Sequence, residues 1–233
     1  QKREAPSTSS QSNLQKNDMK DFFKDRASAF KAKDPEEMKA PPTPPKSESS
    51  QQKQAKERAL EAAMKKFLPV ILPRGKMADK LKNAAPYNMF LTTISDAPQT
   101  HNEPLSVTFQ ELLDPSLGEL ESSVQFNFMV DIAWLLAQYT FARCRHLPLH
   151  IFYGSDDKEL EEISKKLPNV MSQKVPIPTP IGCHHTKMMF FFYTDKSMRV
   201  VVSTANLYED DWHNRTEGLW ISEKLPSLPD GIS

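Results

Sequence analysis

The chain has 233 residues with 30 basic and 30 acidic side chains, so its formal net charge at pH 7 is zero. This balance excludes recognition of a polyanion by overall charge and leaves only a local basic surface for that purpose. The two cysteines, Cys144 and Cys183, lie far apart, which excludes a disulfide scaffold and a thiolate zinc site and fits a reducing compartment. No apolar run approaches the ~18–20 residues of a membrane-spanning helix, and we expect an intracellular protein with no membrane partner. Because the sequence begins with Gln1, we expect a piece of a longer protein.

Residues 1–58 are rich in Ser, Gln, Lys and Pro and poor in large aliphatic residues, which predicts a disordered tail. This segment has thirteen Lys and Arg against nine Asp and Glu, an excess that weakly favours a polyanion. Within it, Met19, Phe22 and Phe23 resemble the short peptide with which repair proteins bind the replication sliding clamp. The leading glutamine of that peptide is absent, so an amphipathic helical stretch without a specific partner is the preferred interpretation.

Residues 59–233 form the second predicted unit, and most of them have the composition of a folded domain. Helix-forming residues before Pro69 predict a helix at 51–68, and apolar residues at three- and four-residue steps predict another at 122–141. Early acids and late lysines predict a third helix at 156–167. Strands alternating with helices indicate an α/β sheet covered on both faces. The predicted strands are 87–94, 149–153, 170–175, 185–193, 198–204 and 218–222.

Three side chains in this domain are suited to attack on a phosphate: His185, Lys187 and Asn206. Because side chains alternate along a strand, His185 and Lys187 are expected to project from one face, about 6–7 Å apart. Asn206 follows the next β-rich run and is expected to return to the same edge of the sheet. His184 would face the opposite side of the strand from His185, and no clustered carboxylates accompany the pair, so the pattern predicts no metal site.

These residues belong to longer strings that resemble the first catalytic motif of tyrosyl-DNA phosphodiesterase, a branch of the phospholipase D superfamily. Most of the superfamily has an acid where this branch, like this chain, has Asn206. The resemblance covers roughly residues 69–228 and implies the N-terminal half of a phospholipase D-like α/β/α sandwich, a mixed sheet with helices on both faces. The strings are GCHHTKMM at 182–189, TANL at 204–207, DWH at 211–213 and TEG at 216–218.

The resemblance also implies roles for the individual residues. His185 attacks phosphorus to form a covalent phosphohistidine, Lys187 holds the non-bridging oxygens, and Asn206 donates to a phosphate oxygen or orients His185. Glu217 is a further site member, at a position where the family more often has an amide, and its role stays open. The reaction requires no cofactor or metal. The implied substrates are single-stranded or frayed DNA 3′ ends that carry a topoisomerase-derived tyrosine peptide, and the implied location is the nucleus.

The family builds its site from two halves, and the histidine of the second half serves as general acid and then general base. No second His-x-Lys follows Gly218, so residues 59–233 are expected to carry the nucleophile half only and to be nearly inactive alone. Two alternatives stay open. One is a homodimeric phospholipase D-like nuclease in which two copies of His185 share a site. The other is a non-catalytic module that binds DNA ends. A phospholipid-cleaving enzyme is disfavoured by Asn206.

Overall fold

The computed structural model describes residues 75–179 and 181–228, together with residues 51, 54, 55, 58, 59, 62 and 71. The predicted tail therefore lies almost wholly outside the described residues, and so do Met19, Phe22 and Phe23. The predicted helix at 51–68 is described at six positions between 51 and 62, all of them helical. In the described part of the chain, every helix is too short or too polar to span a membrane.

The described residues 75–179 and 181–228 form one mixed sheet with helices packed against it. The helices are α1 (Met77–Ala84), α2 (Phe109–Leu112), α3 (Ile132–Phe141), α4 (Lys158–Lys166) and α5 (Glu209–His213), with 3₁₀ turns at Pro98–Asn102 and Pro115–Leu117. The strands are β1 (Met89–Thr92), β2 (Ser106–Val107), β3 (Leu120–Asn127), β4 (Leu149–Tyr153), β5 (Val170–Lys174), β6 (Met188–Tyr193), β7 (Met198–Ser203) and β8 (Gly218–Ile221).

The strand order is β2-β1-β8-β7-β6-β3-β4-β5. The pairs β1–β2, β3–β4 and β4–β5 are parallel, whereas β1–β8, β3–β6, β6–β7 and β7–β8 are antiparallel. This mixed sheet confirms the predicted α/β class. The predicted strands at 149–153, 170–175, 198–204 and 218–222 match observed strands to within one residue at each end.

The predicted helix at 122–141 is wrong in its first half, which is strand β3, and right in its second half, which is α3. Ser123, Gln125 and Asn127 alternate along β3 and are all buried. The inward face of β3 is polar. The two-residue period of a strand is therefore not visible when only the apolar residues are considered. The observed helix starts at its own cap, where the Asp131 carboxylate accepts a hydrogen bond from the Trp134 backbone N–H at 2.9 Å.

The contacts that join α3 and α4 to the sheet lie on one face, here called the inner face. The Tyr139 hydroxyl of α3 lies 2.7 Å from Ser123 Oγ and accepts from Gln125 Nε2 at 3.0 Å. Gln125 pairs with a residue of β4 that pairs in turn with Ser172, so Ser172 points to the same face. The Ser172 hydroxyl donates to the Leu160 carbonyl of α4. These helices cover the β3–β4–β5 side of the inner face.

The opposite face, here called the outer face, exposes large apolar side chains along β1, β8 and β7. Met89, Leu91, Val202 and Trp220 are each at least 38% exposed. Met89 pairs with Trp220, and Trp220 pairs with Val202, so their side chains form one continuous surface across three strands.

Neighbouring valines on β7 provide a direct test of which face is which. Val201 is 1% exposed and Val202 is 46% exposed. In the 233-residue chain, Val201→Asp is expected to reduce the free energy of unfolding by more than about 3 kcal/mol because it buries an unpaired charge. Val202→Asp should change it by less than about 1 kcal/mol. Urea unfolding followed by circular dichroism measures both values. Equal losses, or the reverse order, would contradict the strand register.

Candidate active site

The predicted site residues collect at one edge of the sheet. Since β6 and β8 run antiparallel to β3 and β7, the ends of β3, β4 and β7 meet the starts of β6 and β8 there. Two backbone hydrogen bonds connect the segments at this edge. Ser203 N–H donates to the Lys187 carbonyl at 3.0 Å, and Thr204 N–H donates to the Gly218 carbonyl at 3.0 Å. Residues 185–187, 206 and 217 are therefore all near the same edge, which is the placement expected for His185, Lys187 and Asn206.

His185 and Lys187 lie just before β6, which begins at Met188, so the prediction that both stand on the strand is wrong. Their side chains nevertheless meet. The Lys187 ammonium nitrogen Nζ lies 3.2 Å from Nε2 and 3.4 Å from Nδ1 of His185, close enough to donate to whichever ring nitrogen has the lone pair. His185 is exposed, whereas Lys187 is only 9% exposed. The histidine is thus open to a large substrate, and a partly buried cation lies behind it.

Gly154 and Phe128 position the segment that carries His185. Gly154 directly follows β4, and a Cβ at this position would overlap the His184 carbonyl oxygen and lie 2.9 Å from Cδ2 of Phe128. The Phe128 ring packs against the His185 ring with their centroids 5.1 Å apart. The absence of a side chain at Gly154 therefore lets the histidine segment approach the end of β4.

Two residues of α5, Asp211 and Trp212, hydrogen-bond to the backbone of Asn206. The Asp211 carboxylate accepts the Asn206 backbone N–H at 2.6 Å and the side-chain Nδ2 at 3.0 Å, both on Oδ2. Trp212 Nε1 donates to the Asn206 carbonyl at 2.9 Å. Among the described residues, the Asn206 side chain hydrogen-bonds to Asp211 rather than to His185 or Lys187, and its amide oxygen Oδ1 is buried without a hydrogen-bond partner.

Glu217 lies on the β8 side of this edge. Its carboxylate accepts a hydrogen bond from the Thr204 hydroxyl, which also accepts from Gly218 N–H at 2.9 Å. Its backbone is paired with Thr92, whose hydroxyl accepts Glu217 N–H at 2.8 Å and whose N–H donates to the Glu217 carbonyl at 3.0 Å. The sheet brings Glu217 next to the loop of Asn206, two strands away from Lys187.

His213, in the DWH string at 211–213, is a buried histidine near this edge. It is 5% exposed, its Nδ1 lies 3.1 Å from Ser95 Oγ, and its ring contacts Trp134 edge-on. Its Nε2 has no hydrogen-bond partner among the described residues. Because burial penalises the charged imidazolium, the pKa of His213 lies below its ordinary value.

The lowered pKa of His213 predicts a loss of stability in mild acid. An unfolded histidine binds its proton near pH ~6.5, whereas the buried ring resists protonation until a lower pH. The free energy of unfolding should therefore fall as the pH drops below about 6.5, by up to ~1.4 kcal/mol per pH unit. The pKa of His184 is also lowered by burial and contributes in the same direction.

Urea unfolding between pH 7.5 and pH 5 measures this slope. The variant His213→Gln should reduce it, and His146→Gln, at an exposed position, should leave it unchanged. An unchanged slope in His213→Gln would contradict the role of its burial.

Two residues that the sequence reasoning did not assign to the site are essential to its geometry, Asp211 and Gly154. Asp211 lies in the DWH string at 211–213, five residues after Asn206, and this proximity in sequence was a weak indication that it belongs to the site. Gly154 follows the predicted strand at 149–153, and no sequence pattern assigned it to the site. In the described ranges, no three His, Cys, Asp or Glu side chains form a group that could hold a metal ion.

The mixed sheet and the His-x-Lys pair at its edge define an α/β protein of the phospholipase D type. A family model described as tyrosyl-DNA phosphodiesterase matches residues 88–232. The chain is 58% identical over 176 residues to tyrosyl-DNA phosphodiesterase 1 of Drosophila melanogaster, a match that covers 75% of this chain and 30% of that protein. Identity with tyrosyl-DNA phosphodiesterase 1 of Arabidopsis thaliana is 35% over 108 residues, covering 46% and 17%.

Among solved structures, a yeast tyrosyl-DNA phosphodiesterase is similar with a TM-score of 0.46 and 18% identity, over 62% of this chain and 34% of that one. The family model and the Drosophila relative show that this chain belongs to the tyrosyl-DNA phosphodiesterase family. The chain spans about 30% of the length of that relative.

Proposed function

We propose that this chain is the nucleophile-bearing part of an enzyme that hydrolyses the bond between a DNA 3′ phosphate and tyrosine. The contact between the exposed His185 ring and the Lys187 ammonium, 3.2 Å apart at their closest nitrogens, is the observation that carries the proposal. Family membership supports the substrate class, a 3′ end blocked by a peptide from a stalled type IB topoisomerase. The proposed setting is DNA repair in the nucleus.

The proposed chemistry begins with a lone pair on a ring nitrogen of His185. Attack on phosphorus forms an N–P bond and breaks the P–O bond to tyrosine, leaving the DNA 3′ phosphate attached to the histidine. Lys187 counters the negative charge that builds on the non-bridging oxygens, and its low exposure strengthens that interaction relative to one in water. The exposed position of His185 suits a substrate as large as a DNA end with an attached peptide.

Completion of the cycle requires an acid for the tyrosine oxygen and a base for water. The 233 residues contain one His-x-Lys sequence, residues 185–187. The proposal assigns both missing tasks to a second histidine elsewhere in the longer protein. The chain alone should then perform the first step only when the leaving group needs no acid, and it should stop at the covalent stage.

An oligonucleotide with a 3′ p-nitrophenyl phosphate tests this proposal. Its p-nitrophenolate leaves without protonation, so the 233-residue chain should release up to one equivalent per chain in a single burst, visible by absorbance. An oligonucleotide with a 3′ phosphotyrosine should react far more slowly because the phenolate of tyrosine is a poorer leaving group.

The variant His185→Ala is the control for the nucleophile and should give no burst. A wild-type chain that gives no burst, or a burst that persists in His185→Ala, would contradict the proposal. Sustained turnover of the phosphotyrosyl substrate by a monomer would contradict the half-site assignment, and the same turnover by a stable dimer would favour the homodimeric alternative.

A further inference from the structure

Asp211 fixes the orientation of the Asn206 amide. The amide nitrogen, Nδ2, donates to Asp211 Oδ2 at 3.0 Å. The same oxygen accepts the Asn206 backbone N–H at 2.6 Å, which ties the backbone and the side chain of Asn206 to one atom. Asp211 is 3% exposed and stands on α5, where Arg215 Nε lies 3.6 Å from its other oxygen.

This arrangement leaves the amide oxygen of Asn206 directed away from Asp211. That oxygen, Oδ1, is buried and accepts no hydrogen bond from any of the described residues. Most buried polar atoms in native proteins have a partner, so an exception beside a functional residue points to a partner acquired during function. The required partner is a donor, since Oδ1 can only accept.

Lys187 is a charged donor at this edge. Its carbonyl accepts Ser203 N–H at 3.0 Å, and Ser203 precedes Asn206 by three residues. The Lys187 ammonium has three N–H groups, one of which contacts a ring nitrogen of His185. That contact must break when the ring lone pair attacks phosphorus, and the N–H groups are then available for Asn206 and for phosphate oxygens.

We infer that Asp211 is a positioning residue that fixes Asn206 with its amide oxygen ready to accept from the Lys187 ammonium when a phosphate is bound. The inference rests on the proposed function for the identity of the ligand. It adds to the role expected of Asn206 from the sequence, because the amide orients the lysine through its oxygen while the second N–H of Nδ2, which Asp211 does not use, can still donate to phosphate. Asp211 acts through Asn206 and does not touch the substrate.

A double-mutant cycle in the burst assay tests this inference. Asp211→Leu keeps similar volume and removes the acceptor, and it should slow the burst about a hundredfold, as misplacement of a reacting group by about 1 Å does. In an Asn206→Ala background, Asp211→Leu should cause little further loss because there is no amide left to position. Equal losses in both backgrounds would overturn the inference and indicate a purely structural role.

Asp211→Asn is the conservative match, since its amide oxygen can take the place of Oδ2 and accept both hydrogen bonds. It should recover most of the rate that Asp211→Leu loses. Asp211→Glu keeps the charge but displaces it by one methylene, so it should also slow the burst and serves if Asp211→Leu fails to fold. Failure of Asp211→Asn to recover the rate, in a variant that folds, would count against the hydrogen-bonding role.

A structural readout separates this inference from the proposed function. In nitrogen-15 NMR spectra of the 233-residue chain labelled at asparagine, the side-chain NH₂ pair of Asn206 should be displaced from solvent-exposed values. Asp211→Leu should move that pair towards those values, and Asp211→Asn should preserve its position. If the wild type gave no burst but showed this NMR pattern, the proposed function would fail while the positioning contact stood. An unchanged Asn206 pair in a folded Asp211→Leu would overturn the inference.

Discussion

The variant Gly154→Ala is expected to slow the p-nitrophenolate burst about a hundredfold while the domain stays folded. Its new methyl group would occupy the space of the His184 carbonyl oxygen and press on Phe128, whose ring supports His185. The histidine segment must then move away from the end of β4, which changes the direction from which the ring approaches phosphorus. Stopped-flow absorbance measures the burst rate, and circular dichroism with heating verifies the fold.

The control for this prediction is Gly218→Ala at the start of β8. Gly218 lies beside Glu217 at the same sheet edge, but a Cβ there would meet no atom within 4 Å. The variant should therefore burst at close to the wild-type rate. Equal rates in Gly154→Ala and Gly218→Ala would show that the close approach of His184 to β4 has no part in placing the nucleophile.

The variant Lys187→Met is expected to reduce the burst rate by about 10²–10³, the usual loss when a preorganised donor to a developing oxyanion is removed. Methionine has nearly the length of lysine and no charge, so it keeps most of the packing at a position that is only 9% exposed. We expect the substitution to lower the burst rate at saturating substrate as well as the affinity for substrate, because the charge on the phosphate oxygens increases towards the transition state.

The control for this substitution is Lys165→Met on α4, where the lysine is solvent-exposed and pairs with Glu162. It removes the same charge from the molecule without touching the candidate site. A similar loss in both variants would indicate a general electrostatic attraction for DNA. Increased salt would weaken such an attraction but would affect the local role of Lys187 much less.

The elements around the site could be predicted where burial and sequence pattern agree. Strand β7 ends within one residue of its predicted position because an apolar run is bounded there by turn residues. Asp157 caps helix α4, since its carboxylate accepts Glu159 N–H at 2.8 Å. The acidic start and basic end of the helix provided a second signal.

The strand β3 could not be predicted from the same pattern. Its inward residues Ser123 and Gln125 are polar, and they are stable there because the Tyr139 hydroxyl lies within hydrogen-bonding distance of both. That partner is provided by tertiary structure and lies fourteen or more residues away along the chain. Local periodicity contains no information about it.

The residue types at this edge indicated the proposed chemistry, but they did not predict the geometry of the site. His185 and Lys187 were expected about 6–7 Å apart on one strand, whereas they precede that strand and their side chains are in contact. The orientation of Asn206 depends on Asp211, and the position of His184 depends on Gly154; both contacts follow from the path of the chain. Glu217, whose role stayed open from the sequence, accepts a hydrogen bond from the Thr204 hydroxyl near this edge.

Identification of the covalent adduct tests the central claim most directly. The 233-residue chain would be mixed with the 3′ p-nitrophenyl phosphate oligonucleotide, digested at alkaline pH, where a phosphohistidine bond survives, and mapped by mass spectrometry. We predict one DNA adduct, on the ring of His185, that is absent from His185→Ala and is lost on treatment with acid. An adduct on His184 or another residue, or release of p-nitrophenolate without any adduct, would contradict the assignment of His185 as the nucleophile.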